Sequence, residues 1–158
     1  MSKQKGVTAG PIVEHGEVLR AGPERRDLGF EEISVGDVFT VEALLDDTQL
    51  DAFATLSGDH SPIHRDRATA RQCGFEGRLA YGFQVLSLFS AIVGGNFHTA
   101  LCTSVSVDFI APAYAGDHVM VRAEVIQIQT AMRTVSLAVK VFRGDSPLIR
   151  GKLLTRFL

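Results

Sequence analysis

The longest apolar run in the chain, residues 79–93, restricts the possible folds more than any other feature of the sequence. A helix of that length spans only ~22 Å, which is too short to cross a bilayer. Apolar side chains occur on nearly every side of it, which is typical of a helix enclosed by other structure. Its small residues Ser87, Ser90 and Gly94 fall on one stripe, where a partner can approach closely. We therefore predict a buried central helix.

The pattern of the chain after this run predicts four strands. Apolar and polar residues alternate in residues 101–109, 119–125 and 133–141, and Ile149, Leu153 and Phe157 face inward on a final strand. The phase of the second strand changes at Ile126, which predicts a bulge near Val125. Tight turns are expected at residues 130–131 and 144–147.

The chain before the run supplies one more strand and two helices. A short β-rich segment covers residues 38–41, and a helix capped within residues 46–48 ends at Gly58. Pro62 stops residues 59–63 from continuing that helix, and Asp66 caps a second one over residues 67–73. A sheet with one apolar face needs a cover, so the predicted fold is α+β, with the sheet wrapped around the helix. Residues 28–158 form one domain, and residues 1–27 form a loosely held arm.

Composition excludes several classes of function. The 158 residues contain 16 Lys and Arg against 18 Asp and Glu, without a basic stripe, which argues against nucleic acid as a partner. No hydrophobic segment follows the first residues, so neither a secretory signal nor a membrane span is predicted. Cys73 and Cys102 lack metal-site or redox spacing. We expect a cytoplasmic domain.

The densest polar cluster is residues 57–64, on the loop between the two predicted helices. Asp59 and His64 flank a bend at Pro62 that can bring them together, and a carboxylate with an imidazole suits acid–base catalysis. Two alternatives compete. In the first, Asp59 only caps a turn and His64 only packs. In the second, His60 and His64 bind zinc. Zinc binding needs both histidines on one helix face, which Pro62 disfavours, so no metal is predicted.

A second constellation is Tyr81 and Gly82 at the start of the apolar helix. A helix N-terminus has unpaired N–H groups and partial positive charge, and glycine lets a ligand approach the backbone. These groups can hold a developing oxyanion, such as the enolate of a thioester. The alternative is that Gly82 only eases tight packing.

The residues of these two clusters, with three later segments, resemble a known family. The motif residues are Gly58, Asp59, Ser61, Pro62, Ile63 and His64, followed by Gly74, Phe75 and Glu76, by residues 81–90, and by residues 112–117. They are similar to the MaoC-like, (R)-specific enoyl-CoA hydratases of the hotdog fold. The resemblance implies a curved antiparallel sheet around a long central helix, a homodimer, and reversible addition of water to a trans-2-enoyl thioester without a metal or redox cofactor. The substrate would be carried by coenzyme A or acyl carrier protein.

The resemblance also implies roles for single residues. Asp59 and His64 would be the catalytic pair, the Gly82 N–H would polarise the thioester carbonyl, and Ser90 would orient the pair by hydrogen bonding. Two positions depart from the family pattern. Ser61 replaces an Asn, which changes loop geometry or water placement, and Tyr81 replaces a His, where it would narrow the tunnel or bond the acyl carrier.

Two other functions stay open. A hotdog thioesterase is the second hypothesis, although many of those enzymes carry a carboxylate on the central helix and residues 79–93 have none. A non-catalytic acyl-thioester binding module is the third.

Overall fold

The computed structural model describes residues 27–158, so the arm expected at the N-terminus lies outside the described residues except for Asp27. Within them, one five-stranded sheet and four α-helices form the body of the protein. The strands are β1 (Val38–Leu44), β2 (Ala100–Phe109), β3 (His118–Gln129), β4 (Thr134–Arg143) and β5 (Ser146–Phe157). The helices are α1 (Asp47–Ser57), α2 (Pro62–Arg65), α3 (Arg67–Gln72) and α4 (Gly82–Asn96). Short 3-10 turns cover Phe30–Glu32 and Thr130–Met132.

The sheet has the strand order β1-β3-β4-β5-β2, and every neighbouring pair is antiparallel. Helix α4 packs against β1, β2 and β3. The inward residues of the sheet, among them Val121, Val135, Leu137 and Leu153, are almost completely buried beside Val85 and other α4 residues. The α+β arrangement predicted from the alternation and the apolar run is confirmed.

Helix α4 differs from its prediction in two ways. It begins at Gly82 instead of residue 79, because the segment before it makes extended contacts: Leu79 bridges Tyr114, and the Ala80 N–H donates to the Ala113 carbonyl at 2.8 Å. It is also not enclosed on all sides, since one sheet covers only one face of a helix. An exposed stripe runs along the other face and contains Phe83, Ser87, Ser90 and Gly94.

The predicted bulge in β3 is confirmed. The register between β3 and β4 shifts between Val125 and Gln127, and Ile126 at the shift is 40% exposed. The extra residue lets the apolar phase change while both parts of the strand keep their pairing. The tight turn after β3 is also present and ends at Arg133, whose φ is 50°.

The helices before α4 begin and end where the capping residues predict. Asp46 Oδ1 accepts the Gln49 N–H at 2.8 Å to start α1, and Gly58 ends that helix with a φ of 73°. Asp66 caps α3 in the same way. The prediction that residues 59–63 do not continue α1 is confirmed, and Pro62 instead opens the separate short helix α2. Proline suits the first helical position, where no N–H is required and a φ near −65° is needed.

Candidate active site

The polar loop between α1 and α2 is shaped by its own hydrogen bonds. Gly58 turns the chain out of α1, and the Asp59 N–H then donates to the Ser57 hydroxyl at 3.2 Å. Asp59 Oδ1 accepts the Ser61 N–H at 3.0 Å, which closes an Asx turn. The alternative that Asp59 caps a turn is thus correct for one carboxylate oxygen. The other, Oδ2, accepts no hydrogen bond from residues 27–158, and the side chain is exposed.

His64 lies in the short helix α2 with a defined ring orientation. Its Nδ1 is 3.0 Å from the Leu79 carbonyl oxygen. A carbonyl only accepts, so Nδ1 carries the hydrogen, and Nε2 of the neutral ring has a free lone pair. The ring is partly buried and lines a pocket. A ring in this tautomer can accept a proton at Nε2.

Tyr81 links the two ends of the loop. Its ring stacks on the His64 ring with centroids 4.1 Å apart, and its hydroxyl donates to the Asp59 carbonyl at 3.0 Å. Phe53 of α1 also packs against the Tyr81 ring, with centroids 5.1 Å apart. Burial, and secondarily the Asp59 charge, raise the pKa of the Tyr81 phenol, so it keeps its proton at neutral pH. The hydroxyl proton is therefore used within the loop, and the predicted narrowing of the tunnel or bond to the acyl carrier stays a prediction.

The pocket beside His64 has a volume of about 310 Å³ and reaches the start of α4. It is lined by His64, Leu79, Ala80, Gly82, Val85, Phe109, Ile110, Ala111, Pro112, Ala113, Leu148 and Ile149. Gly82 is the first residue of the 15-residue helix α4, so its N–H is one of those left unpaired at a helix N-terminus. A Cβ at Gly82 would lie 2.7 Å from the Phe109 ring. Gly82 is thus tightly packed, as the alternative interpretation of this glycine expects. Its backbone nevertheless faces the pocket.

The structure brings together some of the predicted site residues and not others. His64 and Gly82 line one pocket, with Tyr81 supporting His64. Asp59 lies on the adjoining loop and is not part of the pocket wall. The Ser61 backbone bonds both partners, donating to Asp59 and accepting the His64 N–H at 3.1 Å.

Ser90 does not make the predicted hydrogen bond to the pair within the described residues. It lies on the exposed stripe of α4, about 12 Å along the helix from Gly82, because each helical residue advances the axis by ~1.5 Å. Two groups that hold His64 were not predicted from the sequence: the Leu79 carbonyl and the Arg78 side chain, whose Nε donates to the His64 carbonyl at 2.9 Å. No motif identifies a backbone carbonyl as a partner, and Arg78 resembles any other surface arginine in the sequence.

Neither a metal site nor a membrane span is found in the described part of the chain. Residues 27–158 contain no group of three or more His, Cys, Asp or Glu side chains arranged to hold a metal ion. None of the helices described is long and apolar enough to cross a membrane.

A single antiparallel sheet packed on one long helix, with a polar loop at the N-terminus of that helix, defines an α+β protein of the hotdog fold. The chain belongs to the MaoC-like domain family, whose model matches residues 33–143.

Several similar proteins are named as dehydratases or hydratases. The 3-hydroxybutyryl-CoA dehydratase of Methylorubrum extorquens is 31% identical over 136 residues, which cover 85% of this chain and 87% of that protein. The mitochondrial 3-hydroxyacyl-[acyl-carrier-protein] dehydratase of Arabidopsis thaliana is 31% identical over 119 residues, 74% of this chain and 72% of that protein. The crystallised (R)-hydratase of A. caviae involved in PHA biosynthesis has a TM-score of 0.78 at 25% identity, covering 81% of this chain and 99% of that one.

Proposed function

We propose that the protein is a hydro-lyase that adds water to a trans-2-enoyl thioester, or removes it from the (R)-3-hydroxyacyl thioester. The observation that carries the proposal is the His64 ring, whose Nδ1 is bound to the Leu79 carbonyl while the ring lines the pocket that Gly82 also lines. Acyl-CoA and acyl-carrier-protein dehydratases and an (R)-specific enoyl-CoA hydratase among the relatives support the same reaction class.

The chemistry follows from three groups of the site. The thioester carbonyl accepts the Gly82 N–H, and the α4 N-terminus stabilises the enolate that develops when water adds to Cβ. His64 Nε2 and Asp59 Oδ2 hold the water, and together they take one of its protons and deliver a proton to Cα. The sum is addition of one H and one OH across the double bond, and dehydration is the reverse path.

The remaining predicted residues have supporting parts in this proposal. Ser61 shapes the loop through its backbone, and Tyr81 shapes the site by holding Asp59 and His64. Ser90 lies on the exposed stripe of α4, where its side chain can contact the acyl part of the substrate or a second subunit.

We also propose that the active form is a homodimer. Strand β2 is an edge strand with ten residues, most of which are exposed on both faces. Its apolar residues Leu101, Val105 and Phe109 are each about half exposed. A long apolar edge with unpaired backbone groups is a template for another strand, and a second copy of β2 fits it.

A mutational assay tests the reaction. Purified protein should consume the conjugated double bond of a trans-2-enoyl-CoA and yield the (R)-3-hydroxy product. Asp59→Asn and His64→Ala should each lower the rate by about 10²–10⁴-fold, because each removes a proton-transfer group. His60→Ala is the matched control, since His60 lies on the same loop and its ring, among residues 27–158, bonds only the Arg65 side chain, at 3.5 Å.

The same assay separates the alternatives. Full rates in both variants would contradict the assigned roles. Release of free thiol from acyl-CoA without hydration would favour the thioesterase, and binding of enoyl thioesters of every chain length without turnover would favour the binding module. A panel of coenzyme A and carrier-protein thioesters of increasing chain length identifies the substrate.

A further inference from the structure

Arg78 makes three polar contacts just outside the pocket. Its two terminal nitrogens bind carboxylates of α1, Asp47 Oδ1 at 2.8 Å and Asp51 Oδ1 at 2.6 Å. Its Nε donates to the backbone carbonyl of His64 at 2.9 Å. The Arg78 side chain is only 12% exposed, whereas both carboxylates are mostly exposed. The guanidinium is therefore held in one orientation, with all its nitrogens in use.

The spacing of the two carboxylates explains why an arginine fits here. Asp47 and Asp51 are one helical turn apart, so they project from the same face of α1. The planar guanidinium reaches both and still directs Nε elsewhere, which a lysine ammonium with a single nitrogen does not do. Arg78 thus connects α1 to the backbone at His64.

The residue after Arg78 contacts His64 from a second direction. The Leu79 N–H donates to the Ile63 carbonyl at 3.1 Å, and the Leu79 carbonyl accepts the His64 Nδ1–H at 3.0 Å. Arg78 and Leu79 therefore hold the backbone of His64 and its ring through adjacent residues of one segment. The Leu79 carbonyl is itself held by the contacts of its segment with residues 113–115, so we expect loss of the Arg78 Nε bond to let the His64 backbone shift relative to that carbonyl and weaken the Nδ1 contact.

We propose that Arg78 is a positioning residue: by anchoring the His64 backbone to α1, it keeps His64 in the tautomer that has hydrogen on Nδ1 and a free Nε2. Its effect on the tautomer stands without any assumption about the reaction, and its effect on turnover rests on the proposed hydro-lyase function. Arg78 does not line the pocket, so it acts through His64 and not on the substrate.

The test measures the tautomer and the kinetics in the same variants. Nitrogen NMR of the full chain labelled with ¹⁵N-histidine, with the His64 signal assigned by its loss in His64→Ala, should show a single Nδ1–H tautomer. Arg78→Met should give a mixture that includes the Nε2–H tautomer. It should lower kcat by about 10- to 100-fold at nearly unchanged KM, because misplacement of a catalytic group by ~1 Å has an effect of this size.

Three further variants make the result specific. Arg78→Lys keeps the charge and should still lose the single tautomer. The planar guanidinium, which bonds both carboxylates and the His64 carbonyl, is replaced by a single ammonium nitrogen. Asp47→Asn with Asp51→Asn keeps Arg78 and releases its anchor, so it should shift the tautomer even if Arg78→Met does not fold. Arg122→Met removes an ion pair with Glu124 in β3, away from the site, and should change neither readout.

The outcomes distinguish the two proposals. A folded Arg78→Met protein that keeps the single tautomer and the wild-type kcat overturns the positioning role, and so does full activity in the double Asp variant with an unchanged His64 signal. If the tautomer shifts but the wild-type protein hydrates no enoyl thioester, the positioning role stands and the proposed function fails. An equal loss in Arg122→Met would reduce the effect to general destabilisation and would also overturn the proposal.

Discussion

Tyr81 is the residue that connects most of the candidate site. It stands where the resemblance places a histidine, and the sequence suggested that it narrows the tunnel or bonds the acyl carrier. The residue is 2% exposed, stacks on His64 and donates to the Asp59 carbonyl. Tyr81 therefore holds both ends of the polar loop, and its contact with a substrate or carrier stays a prediction.

Tyr81→Phe should separate the hydrogen bond from the stacking. Loss of the hydroxyl removes one hydrogen bond, which lowers the free energy of unfolding by about 1 kcal/mol, while the ring stays in place. The rate of hydration should fall modestly, because the Asp59 end of the loop is less well held. Urea unfolding and the enoyl assay measure the two effects, with Tyr114→Phe as the control. An unchanged stability would contradict the contribution of this hydrogen bond.

The pKa of Tyr81 gives the pH dependence at the same residue. Its phenol is favoured over the phenolate in the folded protein, so its contribution to stability is complete below the unfolded pKa near ~10 and is lost as the pH rises through the higher folded value. The phenolate absorbance of the wild type minus that of Tyr81→Phe isolates this group. Its midpoint should lie above the ordinary range for tyrosine, and a midpoint within that range would contradict the burial argument.

The sequence suggested the chemical groups of the candidate site but not the contacts that orient them. Residue type and spacing made Asp59, His64 and Gly82 candidates, and the resemblance to the family implied their roles, which stay predictions. Arg78 and the Leu79 carbonyl were missed because their role depends on the path of residues 78–80 beside α2. That path is set by tertiary contacts with residues 113–115 that no local pattern encodes.

Among the elements, those with strong periodicity were predicted well. The five strands, the bulge at Ile126 and the capped helix α1 follow from alternation and from capping residues. The start of α4 was misplaced by three residues, since apolar residues 79–81 suit a buried extended segment as well as a helix. Ser87, Ser90 and Gly94 were predicted to share one stripe of α4, and they do lie on one exposed side of it. That the sheet leaves this side uncovered was not predicted, because the run is apolar on nearly every side.

Among the described glycines, Gly151 leaves the least room for a side chain. It lies on β5 opposite Val107 of β2, and a Cβ there would lie 2.7 Å from the Val107 Cα and closer still to the Ser106 carbonyl oxygen. These are backbone atoms of an edge strand, so they yield only if β2 moves away from β5.

Gly151→Ala should therefore weaken the attachment of β2. We expect the free energy of unfolding to fall by about 1–3 kcal/mol, the usual size of an overpacking defect, as measured by urea denaturation. Gly95→Ala in α4 is the matched control: nothing lies within 4 Å of its Cβ, and alanine in a helix should raise the stability by about 0.5–1 kcal/mol. A Gly151→Ala protein with the wild-type urea midpoint would show that the edge strand moves freely.

At the scale of the whole molecule, the exposed edge of the sheet and the pocket share a residue. Phe109 ends β2, is 54% exposed and also covers Gly82 in the pocket wall. A second copy bound along β2 would cover part of this ring, so assembly and access to the site are coupled in the proposed dimer.

A charge on that edge tests the coupling. Val105→Lys places an ammonium on the apolar edge, which opposes strand pairing. It should convert the dimer to a monomer in analytical ultracentrifugation and lower the hydration rate at least about tenfold. Ile126→Lys adds the same charge on the β3 bulge, well away from the edge, and should leave the protein dimeric. A monomeric wild type, or a dimeric Val105→Lys protein with full activity, would contradict the β2 interface.

Tyr81 contributes to three parts of the protein at once. It is the N-cap residue of α4, a member of the hydrophobic core, and a contact of both the His64 ring and the Asp59 main-chain carbonyl. The candidate site and the protein core therefore share this side chain. A variant that replaces Tyr81 by a smaller residue removes core packing beside the first turn of α4, so any change of the site at this position also lowers the stability of the fold.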